Sequence, residues 1–354
     1  MLFETELVPP FLFLRQLIPR TESEVIVIKT PVSRVGNKTA ILHILYALFP
    51  PQYGRFIDVF GGSGSVLLGN PEICPFEVYN DFDRNLANLF RCMKERTMAV
   101  IRELGFCHLN SREDFIAIRR FFENEQFDDK YLSEELRLTQ IMFPPLEAKE
   151  LTEMRKRITL DYDVRRAAMF LKLLRFSYSS SGKSYASQPF DIQKLFGLIS
   201  QLQDRMANVV VENQDFETLI KHYDRPDAFF YLDPPYFSTE DMYEIGFEWD
   251  DHVRLRDTLK NIKGKFLLSY NDCDEIRELY NGFSMFDFSR THSMAQRYEA
   301  GKEFKELLIG NYDLYEREKA KPKQLTFFGI ENGNENFDYE KILKECIIQC
   351  KIQK

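Results

Sequence analysis

Four adjacent residues, Asp233-Pro234-Pro235-Tyr236, sit inside the stretch YLDPPYF. They follow an apolar, β-prone run, Ala228 to Leu232, that reads as a buried strand. Two prolines after a strand form a turn in any protein, because proline cannot donate to a sheet. They also form a rigid corner, which aims one carboxylate, one proline carbonyl and one aromatic ring into space. The carboxyl end of a strand is where open α/β sheets bind ligands. A carboxylate and a carbonyl that accept both hydrogens of an exocyclic amine pull its nitrogen toward a tetrahedral form. The nitrogen lone pair, otherwise delocalised into the ring, then points at an electrophile. This is catalysis by orientation and electrostatics, with no covalent enzyme intermediate.

An earlier turn supplies a place for the electrophile. Phe56–Phe60 reads as a strand and Gly61-Gly62-Ser63-Gly64 as a glycine turn, with a helix from Ser65. It is not a phosphate-binding loop, since no Gly-Lys-Ser/Thr follows. The third glycine of a dinucleotide fingerprint would fall at Leu67. Alone, this turn is equally an ordinary tight turn. The second strand ends at Tyr79 and is followed by Asn80-Asp81. Asp81 follows the glycines by roughly the 20 residues at which nucleotide-binding α/β folds place a ribose-binding acid. Asn80 or Asp81 could equally cap the next helix.

A ligand with a ribose and no demand for phosphate is indicated, and S-adenosylmethionine fits. Asp58, at the end of the first strand, can face its ammonium or sulfonium. Lys38, after Gly36, can reach its carboxylate or a neighbouring acid. Tyr236 would stack on a base extruded from a duplex. The departing sulfonium leaves as a neutral thioether, so this chemistry calls for no metal.

The elements that must position these residues alternate. Asn37–Phe49 reads as a helix with Ile41, Leu42, Ile44, Leu45 and Leu48 on one stripe. Strand–turn–helix units then follow in series, which predicts a parallel sheet covered by helices. From about residue 96 to 190 the chain turns helical, charged and irregular. The strand rhythm resumes at Asn208–Phe216 and continues through Gly264–Asp272, Phe283–Phe288 and Glu306–Tyr312. The parse is a 1–29 extension, a catalytic α/β domain from 30–95 and 191–318, a helical insertion at 96–190, and a 319–354 tail.

The 354 residues carry a net charge of -8, 44% hydrophobic and 29% charged residues. That composition suits an ordinary globular protein and argues against coating nucleic acid by bulk charge, while leaving room for a local basic groove. No apolar run is long enough to span a membrane. The first residues make a poor signal peptide, so a cytoplasmic protein is expected. Six cysteines form no CxxC pair, which predicts free thiols.

Pro31–Lys38, Phe56–Ser65, Tyr79–Asp83 and Asp233–Tyr236, in that order, resemble the alpha group of adenine-N6 DNA methyltransferases, the Dam-type family, and most closely its phage and prophage members. The resemblance covers about residues 30–315. It implies a Rossmann-like class I methyltransferase fold and S-adenosylmethionine as cofactor. It implies cofactor contacts from Gly36 and Lys38, from Phe60, Gly61, Gly62, Ser63 and Gly64, and from Asp81, with Asp215 near the cofactor adenine. It implies that Asp233, Pro234 and Tyr236 hold the target adenine, at the corner completed by Pro235. It places target recognition in the insertion. The chain departs from the family pattern at Asn37, often glycine there, and at Asp58-Val59, often Glu-Pro. Both changes keep the acid and the lysine.

Arg165, Arg166, Lys172, Arg175 and Lys183 lie in the insertion, interleaved with Phe176, Tyr178 and Tyr185. SYSSSGKSYAS among them reads as a flexible loop able to follow a phosphate backbone; a solvated helix face and a surface loop would look alike. Arg290, Arg297 and Lys302 form a second candidate group. The expected partner is double-stranded DNA, with a cognate restriction endonuclease as a second. A cytosine-C5 enzyme needs a Pro-Cys nucleophile, and the only proline beside a cysteine follows it, at Cys74-Pro75. An adenine-N6 RNA methyltransferase, or a silent DNA-binding protein on the same fold, remains open; the insertion favours DNA, and the intact acids favour an active enzyme.

Overall fold

The computed structural model describes residues 28–34, 36–106, 111–122, 132–158, 162–180, 182–186, 192–237, 246–291 and 303–319. The 1–27 part of the extension, Cys107, Arg297, Lys302 and the 320–354 tail lie outside the described residues.

Seven strands form one sheet in the order β3-β2-β1-β4-β5-β7-β6. They are β1 (Arg55–Asp58), β2 (Phe76–Asn80), β3 (Val209–Glu212), β4 (Ala228–Leu232), β5 (Lys265–Asn271), β6 (Ser284–Thr291) and β7 (Glu303–Gly310). The first five are parallel. β7 enters antiparallel to both β5 and β6, so the sheet is mixed rather than wholly parallel as expected. Strand order reverses between β1 and β4, and a crevice opens at their carboxyl ends, where such sheets take ligands.

The central strands are apolar because both faces are covered. All of β4 is buried. One face packs Phe49, Phe56 and Phe229 together, the Phe49 and Phe229 rings meeting edge-on at 4.7 Å. The other face gathers Ile57, Phe230, Leu232 and Leu268. Against it lie residues of α10 (Phe216–Tyr223) and α11 (Trp249–Leu259). The first helix forms later than the periodicity suggested. The Asn37 carboxamide oxygen accepts the Thr39 amide at 2.8 Å, a 3₁₀ turn covers Thr39–Ile41, and α1 runs from Leu42 to Leu48.

Ser65–Gly69 forms α2 and Arg84–Glu95 forms α3. The insertion contributes α4 (Thr97–Phe106), α5 (Arg112–Phe122), α6 (Leu132–Met142), α7 (Pro145–Ile158) and α8 (Val164–Phe176), followed by α9 (Ile192–Arg205). α8 packs on α3, α4 and α5, and all of this belongs to the same compact unit as the sheet. At the end of α9, the buried Arg205 pairs with Glu77 of β2 and donates to the Leu67 carbonyl at 2.7 Å. Removing one partner of such a buried pair costs about 3–5 kcal/mol. The Ser/Gly-rich loop is not the loose segment expected. Tyr178 and Ala186 amides donate to the Ser184 and Phe176 carbonyls, each at 2.7 Å, and Ser177 pairs with Tyr185 across an antiparallel bridge.

The glycine turn has no room to spare. A Cβ on Gly61 would stand 2.3 Å from the Tyr79 ring. That ring is fully buried, lies 4.1 Å from Phe90 between centroids, and sends its hydroxyl to the Gly62 carbonyl at 2.8 Å. Gly61→Ala therefore forces the ring out of its seat. It is expected to lower the unfolding free energy by about 1–3 kcal/mol in urea titration, with the cleft losing ligand affinity in the same variant.

Candidate active site

Parallel register brings the strand ends level. Asp58 of β1 stands opposite Tyr79 of β2 and Tyr231 of β4. The turns after these strands therefore share one rim of the sheet. A cleft of about 230 Å³ opens there. Of the residues singled out from sequence, Gly36, Lys38, Asp58, Phe60, Gly61, Gly62, Ser63, Asp81, Asp215, Asp233 and Pro235 line it. Gly64 sits behind the turn with φ 71°, and Pro234 is buried in the corner.

At the end of β4, Asp233 is held by Lys38, whose ammonium lies 2.8 Å from Oδ1. Lys38 is 3% exposed. It thus takes the second of its two expected partners, the neighbouring acid. The same ammonium donates to the Tyr236 hydroxyl at 2.9 Å and lies 4.7 Å from the ring centroid, so the charge sits at the hydroxyl end of the ring. That hydroxyl donates to Glu306 Oε2 at 2.6 Å and lies 2.8 Å from Ser269 Oγ. Burial, then the Glu306 and Asp233 carboxylates, hold Tyr236 well above the ordinary tyrosine range, so it stays a neutral donor. The ring itself is partly buried.

On the glycine side, Gly62 adopts φ 53°, the left-handed region that favours glycine. Its amide donates to Asp81 Oδ2 at 2.8 Å, and the Asp83 amide donates to Asp81 Oδ1 at 2.8 Å. Asp83, rather than Asn80 or Asp81, caps α3 through the Asn85 amide. Asp81 is therefore kept for the rim. Burial raises its pKa, against the pull of Arg34. A carboxylate has about four lone-pair sites, so both amides leave room for a pair of hydroxyls. Asn80 points inward instead. Its amide nitrogen donates to the Val59 and Gln214 carbonyls at 2.9 and 3.1 Å, and its oxygen accepts the Gln214 amide, stitching three strand ends together.

Asp215 caps α10 and forms a two-point ion pair with Arg254, at 2.8 and 2.9 Å. Those contacts hold its pKa below the usual carboxylate range although burial works the other way. Phe60, Phe216 and Phe247 meet beside it with centroids 5.8–6.0 Å apart, an apolar wall suited to a purine.

Asp58 differs from every other acid on the rim. It is 1% exposed and, among the described residues, neither oxygen has a hydrogen-bond partner of ordinary geometry. Burial, then Asp233 and Asp81, push its pKa well up; only the Leu67 amide draws it the other way. A buried carboxylate without a cation is costly, and Asp58 lines the cleft. The orphaned acid, the glycine turn, the two-oxygen acid and the aromatic wall together fit S-adenosylmethionine.

The residues expected to face DNA separate. Lys172 is 1% exposed and Arg166 4%. Arg166 donates to Asn85 at 2.7 Å and lies over the Phe122 ring. Burial takes both out of reach of phosphate; their apolar neighbours on α8 turn that helix into the core, which charge counting alone did not register. Arg175 donates to the Pro31 carbonyl at 2.7 Å, and Arg165 pairs with Glu103 at 2.6 Å. Lys183 and Tyr178 are exposed on the closed loop. Arg34, Arg254 and Glu306 were not singled out from sequence. Only Glu306 carried a signal, an acid leading the otherwise apolar run ELLIG.

A family model described as D12 class N6 adenine-specific DNA methyltransferase matches residues 35–294. The chain is 25% identical over 288 residues to the type II methyltransferase M1.LlaDCHI of Lactococcus lactis subsp. cremoris, covering 78% of this chain and 93% of that protein. It is 21% identical over 262 residues to the type II methyltransferase M.CviBI of Paramecium bursaria Chlorella virus NC1A, covering 73% and 88%.

A carboxylate whose folded pKa exceeds its unfolded one stabilises the fold at low pH and loses that contribution as pH rises through the folded value. The raised pKa of Asp58 thus makes the ligand-free protein less stable at neutral pH than this position requires. Asp58→Asn is expected to raise the melting temperature at pH 7, with the gain shrinking to nothing as pH falls below the ordinary carboxylate range. Calorimetric scans of both proteins across pH check this; a loss of stability at pH 7 would contradict it.

Proposed function

The chain belongs to the D12 class N6 adenine-specific DNA methyltransferase family, and on that premise we propose that it moves a methyl group from S-adenosylmethionine to the exocyclic amine of an adenine flipped out of double-stranded DNA. The observation that carries this reading is the pairing of two acids across one rim. Asp58 stands at the end of β1 with no cation beside it among the described residues, and Asp233 stands braced by Lys38 at the end of β4. The first suits a cation and the second an amine.

When bound, S-adenosylmethionine supplies a methyl group on a sulfonium that leaves as a neutral thioether. Asp58 would face the cationic end. The Gly62 amide is already spent on Asp81, so the remaining Asp81 lone pairs would accept the ribose hydroxyls. Phe60, Phe216 and Phe247 would flank the cofactor adenine, with Asp215 fixed beside them by Arg254. At the corner, Asp233 and the Pro234 carbonyl would accept the two hydrogens of the target amine. Its lone pair then points into the cleft, and Asp233 is the group placed to take the proton that the methylated nitrogen sheds. Pro235 lines the cleft, and Tyr236, partly buried beside it, would present its ring to the base.

The DNA contacts belong to the insertion in this reading. Lys183 and Tyr178 at the closed loop are the candidates for phosphate and base contact, with Arg175 just before the loop, Arg165 at the far end of α8, and Arg297 outside the described residues. The type II names of both relatives support a place beside a cognate restriction endonuclease. Among the described residues, no helix is long and apolar enough to cross a membrane.

Incubation with tritiated S-adenosylmethionine and unmethylated DNA, then nucleoside analysis, is expected to yield N6-methyladenine. Asp233→Ala should reduce kcat by at least about 10²-fold, the scale for losing a group that stabilises developing charge, while cofactor binding persists. Cofactor affinity should strengthen as pH rises, because binding requires ionised Asp58, and Asp58→Asn should flatten that dependence. Transfer to RNA alone, or cofactor binding with no transfer, would overturn the DNA assignment.

A further inference from the structure

Glu306 is a buried acid that the reaction as described above does not use. It lies on β7, opposite Asn271 of β5, and is 2% exposed. Leu307, Leu308 and Ile309 after it are buried hydrophobics. A carboxylate at such a position is expensive unless its hydrogen bonds are well placed. Its Oε2 receives the Tyr236 hydroxyl at 2.6 Å, a length typical of a charge-assisted bond.

The direction of these bonds is forced by chemistry. A lysine ammonium only donates, and an ionised carboxylate only accepts. The Tyr236 hydroxyl lies between one of each, with Lys38 at 2.9 Å and Glu306 at 2.6 Å. It must accept from Lys38 and give its single hydrogen to Glu306. Burial keeps that hydrogen in place by pushing the tyrosine pKa well up. Ser269 Oγ, at 2.8 Å, is then left to donate to the same oxygen. Lys38 also donates to the Gly36 carbonyl at 3.4 Å and pairs electrostatically with Asp233, its ammonium 2.8 Å from Oδ1. The Tyr236 oxygen anchors it on the Asp233 side only while its own hydrogen points away from Lys38. Glu306 is what turns it away.

We propose that Glu306 is a positioning residue for methyl transfer, which orients the Tyr236 hydroxyl so that Lys38 is held against Asp233 and the Tyr236 ring is fixed beside the base. This rests on the methyltransferase reading above. β7 thereby reaches the reacting corner across β5 without touching substrate. The effect is on the geometry of the reacting groups, so it belongs to kcat rather than to the binding of either substrate.

A double-mutant cycle separates this role from plain packing. Glu306→Gln and Tyr236→Phe are made singly and together, and kcat, KM for DNA and cofactor Kd are measured for all four proteins. Glu306→Gln is expected to lower kcat at least 10-fold with KM and Kd within about 2-fold. In the Tyr236→Phe background, which has no hydroxyl to orient, the same change should alter kcat less than about 2-fold. Should Glu306→Gln not fold, Glu306→Asp keeps the charge, withdraws the oxygen from the hydroxyl, and is expected to show the same loss and the same non-additivity. Wild-type kcat in the single variant, or a loss of equal size in both backgrounds, overturns the positioning role while leaving the methyltransferase reading intact. A wild-type protein that methylates no adenine overturns that reading, and this one with it.

Discussion

The site depends on one constraint, the parallel register across β2, β1 and β4. Because Tyr79, Asp58 and Tyr231 stand level, three chain segments far apart in sequence leave the sheet at the same height. A one-residue slip in any of them would turn its whole side-chain set to the other face. Register is protected here by burial: Phe56, Ile57, Phe229 and Phe230 have no exposed surface, so neither face tolerates a polar neighbour. The aromatic packing beneath the rim is thus what keeps an acid at the end of β1 facing an acid at the end of β4.

Gathering carboxylates on one rim raises their mutual repulsion, and most of them are given a counterpart. Asp83 has Arg34 at 3.0 Å, Asp215 has Arg254, Asp233 has Lys38, and Asp81 is satisfied by two backbone amides. Asp58 is the exception, and its environment makes the difference costly rather than neutral, since Asp233 and Asp81 both act on it. A fold under selection for stability alone would place an apolar residue there. On the proposed methyltransferase reading, that cost would favour taking up a cation at Asp58.

The sheet and its rim were legible in the sequence because short-range signals carry them. Glycines mark the turn after β1, an apolar run marks β4, and the prolines mark its corner. What stayed hidden depends on long-range contact. Asp81 was ambiguous between cap and ligand until Asp83 took the cap. Lys172 and Arg166 looked like a basic face until α8 packed against α3, since a lysine buried along its stem has the same letter as one in solvent. The antiparallel entry of β7 left no mark, because an apolar strand reads the same in either direction. Glu306 was visible only as a residue at the end of a strand.

That last case says where sequence reasoning about such sites ends. Lys38 precedes β1, Asp233 and Tyr236 follow β4, Ser269 is on β5 and Glu306 on β7, yet their polar atoms form one chain of contacts. No local motif encodes it, and each residue has a bland reading alone. Only the antiparallel insertion of β7 between β5 and β6 puts residue 306 beside residue 271 and so within reach of the corner. The reversed strand that breaks the parallel pattern is therefore also the one that joins the far half of the sheet, through Glu306 and Tyr236, to Lys38 and Asp233.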